Sequence, residues 1–169
     1  MMAGQPLQGR CLCGALVYAA EGEPALVTIC HCRFCQRATG GAYLVDALFR
    51  RQNFALLQGV PRVYAHRSEG SGKQVDIHFC EACGTKLWLT FERFPALVGV
   101  YAGTLDNPDA IDRSPARTHY IFTDQAAAWT VLPPGARVYP GDTAAADGTR
   151  LSPLCLQAMH ITGAVSPSS

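Results

Sequence analysis

Apolar and polar positions along the chain follow short runs bounded by breakers, with little sign of helical spacing. The segments ALVYAA (15–20), ALVTIC (25–30), AYLVDALF (42–49), RVYAHR (62–67), QVDIHFC (74–80), TKLWLTF (85–91), LVGVYAG (97–103), ARTHYIF (116–122) and AAWTVL (127–132) carry aliphatic, β-branched or aromatic residues. Their lengths suit strands. Between them stand Glu21-Gly22-Glu23-Pro24, Gly40-Gly41, Gly59-Val60-Pro61, Ser68 to Gly72, Asn107-Pro108 and Pro133-Pro134-Gly135, all turn-forming. The strongest helix candidates are a single turn around Cys35 to Thr39 and another at Pro108 to Asp112, where Asn107 can cap and Pro108 takes the first helical position. The fold class predicted is mainly β. Beyond Tyr139 the composition shifts to Ala, Gly, Ser, Thr and Pro, so residues 1–140 read as a single domain and 141–169 as a low-complexity or loosely packed tail. Within it LSPLCLQAMH (151–160) is expected to form a short helix, with Cys155 as a small buried apolar residue.

Composition narrows the class. The chain has 169 residues, 49% hydrophobic and only 16% charged, with a formal net charge of +1. That length carries one domain with a real core, and the near-neutral charge predicts no nucleic-acid partner. Apolar runs fall far short of the ~18 residues that cross a bilayer, so no membrane partner is expected. The opening MMAGQPLQGRC has neither the charged nor the apolar region of a secretory signal. A cytoplasmic location follows, with thiols kept reduced.

Eight cysteines are the most informative feature. Cys11 and Cys13 form C-x-C, Cys30, Cys32 and Cys35 form C-x-C-x-x-C, and Cys80 and Cys83 form C-x-x-C. Disulfides are disfavoured by the compartment and by the strain of bridging C-x-C neighbours. Thiolates a few residues apart on a turn suit a metal, with zinc the default. Cys13 and Cys83 are each followed by glycine, which permits a left-handed turn round an ion. The two pairs therefore read as halves of one closed, structural Cys₄ site. The Cys30, Cys32 and Cys35 group offers three ligands and leaves a fourth position open, as in reactive zinc sites, unless His31, His66, His78, His119 or His160 closes it. An iron–sulfur cluster wants four cysteines, and thiol redox catalysis by Cys80 and Cys83 lacks the helix that follows such a motif.

The order GRCLCGALVY, CHCRFCQRATGGAY, HFCEACGTKLW, GTLD, RTHYIF and Trp129, running from about Gly9 to Tyr139, resembles the glutathione-dependent formaldehyde-activating enzyme family, which includes the centromere protein V relatives. The resemblance implies a β-tent fold of stacked antiparallel sheets with two zinc ions. One ion would be structural, on Cys11, Cys13, Cys80 and Cys83. The other would be catalytic, on Cys30, Cys32 and Cys35, its open position facing a thiol or water.

The implied activity is that of a carbon–sulfur lyase or synthase, joining a small thiol such as glutathione to formaldehyde or a related electrophile. Three thiolates give a Zn²⁺ site a formal charge of −1, better suited to holding a substrate thiolate than to polarising a carbonyl. The alkoxide that develops needs a proton donor, for which His119, Tyr120 and Tyr43 are candidates. Arg33, Arg37 and Lys86 can meet a glutathione carboxylate, and Phe34, Phe79, Trp88 and Trp129 can wall a pocket. Two other classes stay open: a non-catalytic zinc module that binds a partner protein, and a zinc hydrolase of small electrophiles.

Overall fold

A computed structural model describes residues 6–107, 109–145 and 147–163. Fourteen strands, one α-helix and three short 3₁₀ turns appear among them. In chain order the strands and helix are β1 (Leu7–Arg10), β2 (Val17–Ala20), β3 (Leu26–Cys30), α1 (Arg33–Thr39), β4 (Leu44–Arg50), β5 (Phe54–Gln58), β6 (Arg62–Arg67) and β7 (Gln74–Phe79). Then come β8 (Lys86–Phe91), β9 (Leu97–Tyr101), β10 (Thr118–Ile121), β11 (Val131–Leu132), β12 (Arg137–Val138), β13 (Leu154–Cys155) and β14 (His160–Ile161). The chain divides into two compact units, one of Met1–Val27 with Val45–Asp112, the other of Thr28–Leu44 with Arg113–Ser169.

The first unit stacks two sheets. A small antiparallel sheet has the order β1-β2-β5, and β4-β9-β8-β7-β6 run as antiparallel neighbours. Alternation along β4 sends Ala47 and Phe49 to the face that also receives Tyr18 from β2 and Trp88, Val98 and Val100 from β8 and β9. Phe49 and Tyr18 are fully buried. Trp88 packs its ring 5.0 Å from Phe54 and 5.0 Å from His78, so three strands meet on one indole. Removing such an aromatic costs about 3–5 kcal/mol. Cys11 and Cys80 sit in this same core, which ties two prospective ligands to its packing.

The second unit carries the neighbours β13-β12-β10-β3 and the pair β11-β14. The β10–β12 pair is parallel and the β12–β13 pair antiparallel, so the sheet is mixed where a purely antiparallel one is expected. Tyr120, Leu132, Ala136 and Val138 form its core, with Ile29 and Leu156 against them.

Several expectations are corrected. Residues 151–160 hold β13 and no helix, and Cys155 is exposed. The segment pairs with β12 instead, Leu154 opposite Val138 and Cys155 opposite Arg137, so its backbone groups bond to a neighbouring strand. At 109–112 the chain makes a turn instead of a helix, Asn107 Oδ1 accepting from Asp109 N–H at 3.0 Å; Pro108 lies outside the described residues. The expected turn at Cys35 to Thr39 is real and starts earlier, at Arg33.

Candidate metal centres

The first centre forms where two knuckles of the first unit meet. Cys11 opens a turn closed by Gly14 N–H donating to its carbonyl at 3.0 Å, and Cys80 opens one closed by Gly84 N–H at 2.8 Å. Both glycines are left-handed, with φ of 74° and 72°, a conformation that costs other residues strain. Each knuckle adjoins a register shift, between Val17 and Tyr18 in β2 and between His78 and Phe79 in β7. Such bulges re-aim the chain at a sheet end. Thr85 joins the two knuckles, its hydroxyl accepting from Leu12 N–H at 3.2 Å and lying 3.1 Å from Cys83 Sγ. The Thr85 hydroxyl and amide pull the Cys83 thiol down to about 5.

All cysteines are free. Cys11 and Cys13 stand 3.5 Å apart and Cys13 and Cys80 3.6 Å apart, and the four sulfurs all lie within 4.8 Å of one another. A tetrahedral ion with metal–sulfur bonds of about 2.3 Å sets sulfurs about 3.8 Å apart. The donor set fits a metal and is far from the ~2.05 Å of a disulfide.

The second centre is built on a strand–turn–helix element of the second unit. Cys30 ends β3, Cys32 caps α1 with Sγ accepting from Cys35 N–H at 3.4 Å, and Cys35 lies in the first turn. Cys30 donates to Cys32 across 3.4 Å. The thiols of Cys30 and Cys35, with the amides of Cys35 and Phe34, push Cys32 down to about 3, while Cys30 and Cys35 are held above the usual thiol range, first by their neighbouring cysteines. The three sulfurs lie within 4.8 Å of one another, and no histidine, aspartate or glutamate among the described residues joins them. The trio fits an ion with a free coordination position.

His31, between two of these cysteines, is 1% exposed, and neither ring nitrogen finds a partner. Its ring stands edge-on to Tyr43 at 5.4 Å. Burial, and then Tyr43, raise the pKa of the Tyr120 hydroxyl. His119 alternates away from Tyr120 along β10 and lies 5.3 Å from the Tyr139 ring; burial, then Arg137, lower its pKa. Arg33 and Arg37 are exposed on α1, and the Arg33 guanidinium donates to Gln36 Oε1. Lys86 lies in the first unit, in register with Phe79. Trp88 is core, and Trp129 is 72% exposed with φ of 66°.

Sequence reasoning passed over Gln36, Gln125 and Thr85. Only Gln36 carried a signal, as a polar residue directly after the last cysteine of its motif.

Two comparisons bear on identity. Residues 6–125 match the family model described as glutathione-dependent formaldehyde-activating enzyme. A Halomonas elongata protein, provisionally named as such an enzyme, is 26% identical over 122 residues, which is 70% of this chain and 76% of that one. Among solved structures, a Rhodobacter sphaeroides protein aligns with a TM-score of 0.49 at 22% identity, over 63% of this chain and 92% of that one. No helix among the described residues is long and apolar enough to cross a membrane. With more than half its length matched and both cysteine groups assembled, the chain belongs to the glutathione-dependent formaldehyde-activating enzyme family.

Proposed function

We propose that the protein is a zinc-dependent carbon–sulfur lyase or synthase that joins a glutathione-like thiol to formaldehyde or a related small aldehyde. One observation carries the reading: three cysteine sulfurs gathered by Cys30, Cys32 and Cys35, with no fourth protein ligand among the described residues. The family description supports glutathione and formaldehyde as the reactants. Zinc is the ion that suits soft thiolates in a tetrahedral set. When bound, it supplies a position that holds a substrate thiol in its deprotonated form.

The residues then divide the work. Cys30, Cys32 and Cys35 together bring three negative charges, which offset the ion and leave an incoming thiolate nucleophilic. The substrate sulfur adds to the aldehyde carbon, a C–S bond forms, and the C=O π pair moves to oxygen. That oxygen takes a proton from a donor in reach. Tyr43, Tyr120 and His119 are the proposed donors. In reverse the proton returns, the carbonyl re-forms and the C–S bond breaks. Arg33 and Arg37 are the proposed partners for a substrate carboxylate.

Exchange of formaldehyde with its glutathione adduct, followed by NMR, tests this. Cys32→Ser is expected to remove enzyme-catalysed exchange while circular dichroism and the four-cysteine ion are retained. Catalysed exchange at the wild-type rate in that variant would refute the assignment.

A further inference from the structure

The peptide between Cys30 and Cys32 is anchored at both of its central polar groups. His31 N–H donates to the Ile121 carbonyl at 3.0 Å, and the His31 carbonyl accepts from Gln36 Nε2 at 2.5 Å. Gln36 is 7% exposed. The same Nε2 donates to the Gln125 carbonyl at 2.8 Å, and Gln36 Oε1 accepts from Arg33. One amide thus uses both donor hydrogens and its acceptor, and the two carbonyls fix which end is nitrogen. Gln125 returns the link, its Oε1 accepting from Arg33 N–H at 3.1 Å. The helix sets the position of Gln36 itself, whose N–H donates to the Cys32 carbonyl at 3.0 Å.

We infer that Gln36 is a positioning residue for the three-cysteine metal site, clamping the His31 peptide so that Cys30 and Cys32 present their sulfurs together. The inference rests on the proposed reading that these thiols hold an ion. The Gln36 side chain bonds to Arg33 and to two backbone carbonyls, not to a cysteine sulfur. It acts through the chain that bears two ligands, and through residues 123–125, which it ties to that chain. A buried amide with all its bonds made is directional in a way that an apolar side chain of equal volume is not. Groups that orient metal ligands typically carry 10–100-fold in metal affinity.

Gln36→Glu keeps the length and the acceptor for Arg33 but turns lone pairs on two carbonyls. Gln36→Met keeps the volume and loses every bond, and Gln36→Asn keeps the amide but shortens its reach by one methylene. Each full-length variant is loaded with cobalt and titrated with a competing chelator, and the thiolate charge-transfer bands are recorded. The four-cysteine site is the internal reference, since Gln36 and its partners belong to other elements. The expected result is two ions in the wild type and, in the variants, a 10–100-fold loss at the three-cysteine site alone, with altered bands from that site. Wild-type affinity and bands at that site in all three variants would overturn the inference, as would equal loss at both sites, which would mark Gln36 as a general folding residue. A wild-type protein that takes up one ion would refute the metal reading itself, whatever Gln36 does.

Discussion

Replacing Asp46 with asparagine is expected to stabilise the protein at alkaline pH and to leave it nearly unchanged at acid pH. Asp46 lies on β4, on the face opposite Ala47 and Phe49. It is buried, 7% exposed, and its Oδ1 has no hydrogen-bond partner. Gly99, diagonally across on β9, gives it room: a Cβ there would stand 2.5 Å from Oδ1 and 2.9 Å from Oδ2. Burial alone, with no neighbouring charge among its causes, pushes the carboxyl from an ordinary 3.8 to about 7. The raised value means that the folded state holds a proton the unfolded chain gives up near pH 4. This contribution to stability is complete below pH 4, declines as pH rises toward 7 and is gone above it. The gap of about three pH units, at about 1.4 kcal/mol each, makes about 4 kcal/mol the ceiling of the loss.

Asparagine has the same shape and does not ionise. Its amide replaces one under-partnered polar group by another, so below pH 4 the two proteins should agree within about 1–2 kcal/mol. By pH 5 the aspartate protein has already given up about 1.6 kcal/mol. At pH 8 the variant should lead by up to about 4 kcal/mol. Urea unfolding of the metal-loaded proteins at pH 5, 6, 7 and 8 gives the difference directly, since other titrating groups and metal release are common to both. The denaturant slope should not change, because the surface exposed on unfolding is the same. A difference that is flat with pH, or that favours aspartate at pH 8, would refute the argument from burial.

Other consequences follow from backbone geometry and the metal centres. Gly84→Ala meets no atom within 4 Å, so its cost is the left-handed backbone alone, about 1–2 kcal/mol; it should weaken the four-cysteine site in chelator competition and leave the three-cysteine site alone. Trp129→Gly releases a 72% exposed side chain held at a φ of 66° and should raise stability by about 1 kcal/mol, read by urea unfolding with Trp88 as the remaining fluorophore. Chelation should remove the ion from the three-cysteine site before that of the four-cysteine site, because three ligands hold less tightly than four. The large fall in melting temperature should accompany the second loss, since that site joins residues 11–13 to residues 80–83.

What the sequence disclosed depended on whether a signal is local. The cysteine groups were legible because metal chemistry confines ligand types and spacing to a few residues, and Gly14 and Gly84 marked the pairing of two distant knuckles. Strands β4, β8 and β9 were legible because they are buried on both faces, which makes each a short, nearly continuous apolar run between breakers. β5 escaped because it is an edge strand, exposed at Ala55, Leu56, Leu57 and Gln58, so burial imposes no alternation on FALLQ. β12, β13 and β14 span two residues each, shorter than any periodicity can register.

The polar residues that shape the second centre raise a different difficulty. Gln36 matters through the carbonyls of His31 and Gln125, and a carbonyl has no identity in a sequence. Its contacts at 31 and 125 bring together segments almost ninety residues apart, with nothing in either composition to announce it. Asp46 is harder still, since an acidic residue inside AYLVDALF reads as one polar position in a strand, whereas the structure buries it beside Gly99 with no counter-charge. In both cases the burial of a polar group is the information, and burial is a property of the fold. The ligands of this protein are therefore written in its sequence, while the side chains that hold and tune its strands emerge only once the backbone around them is in place.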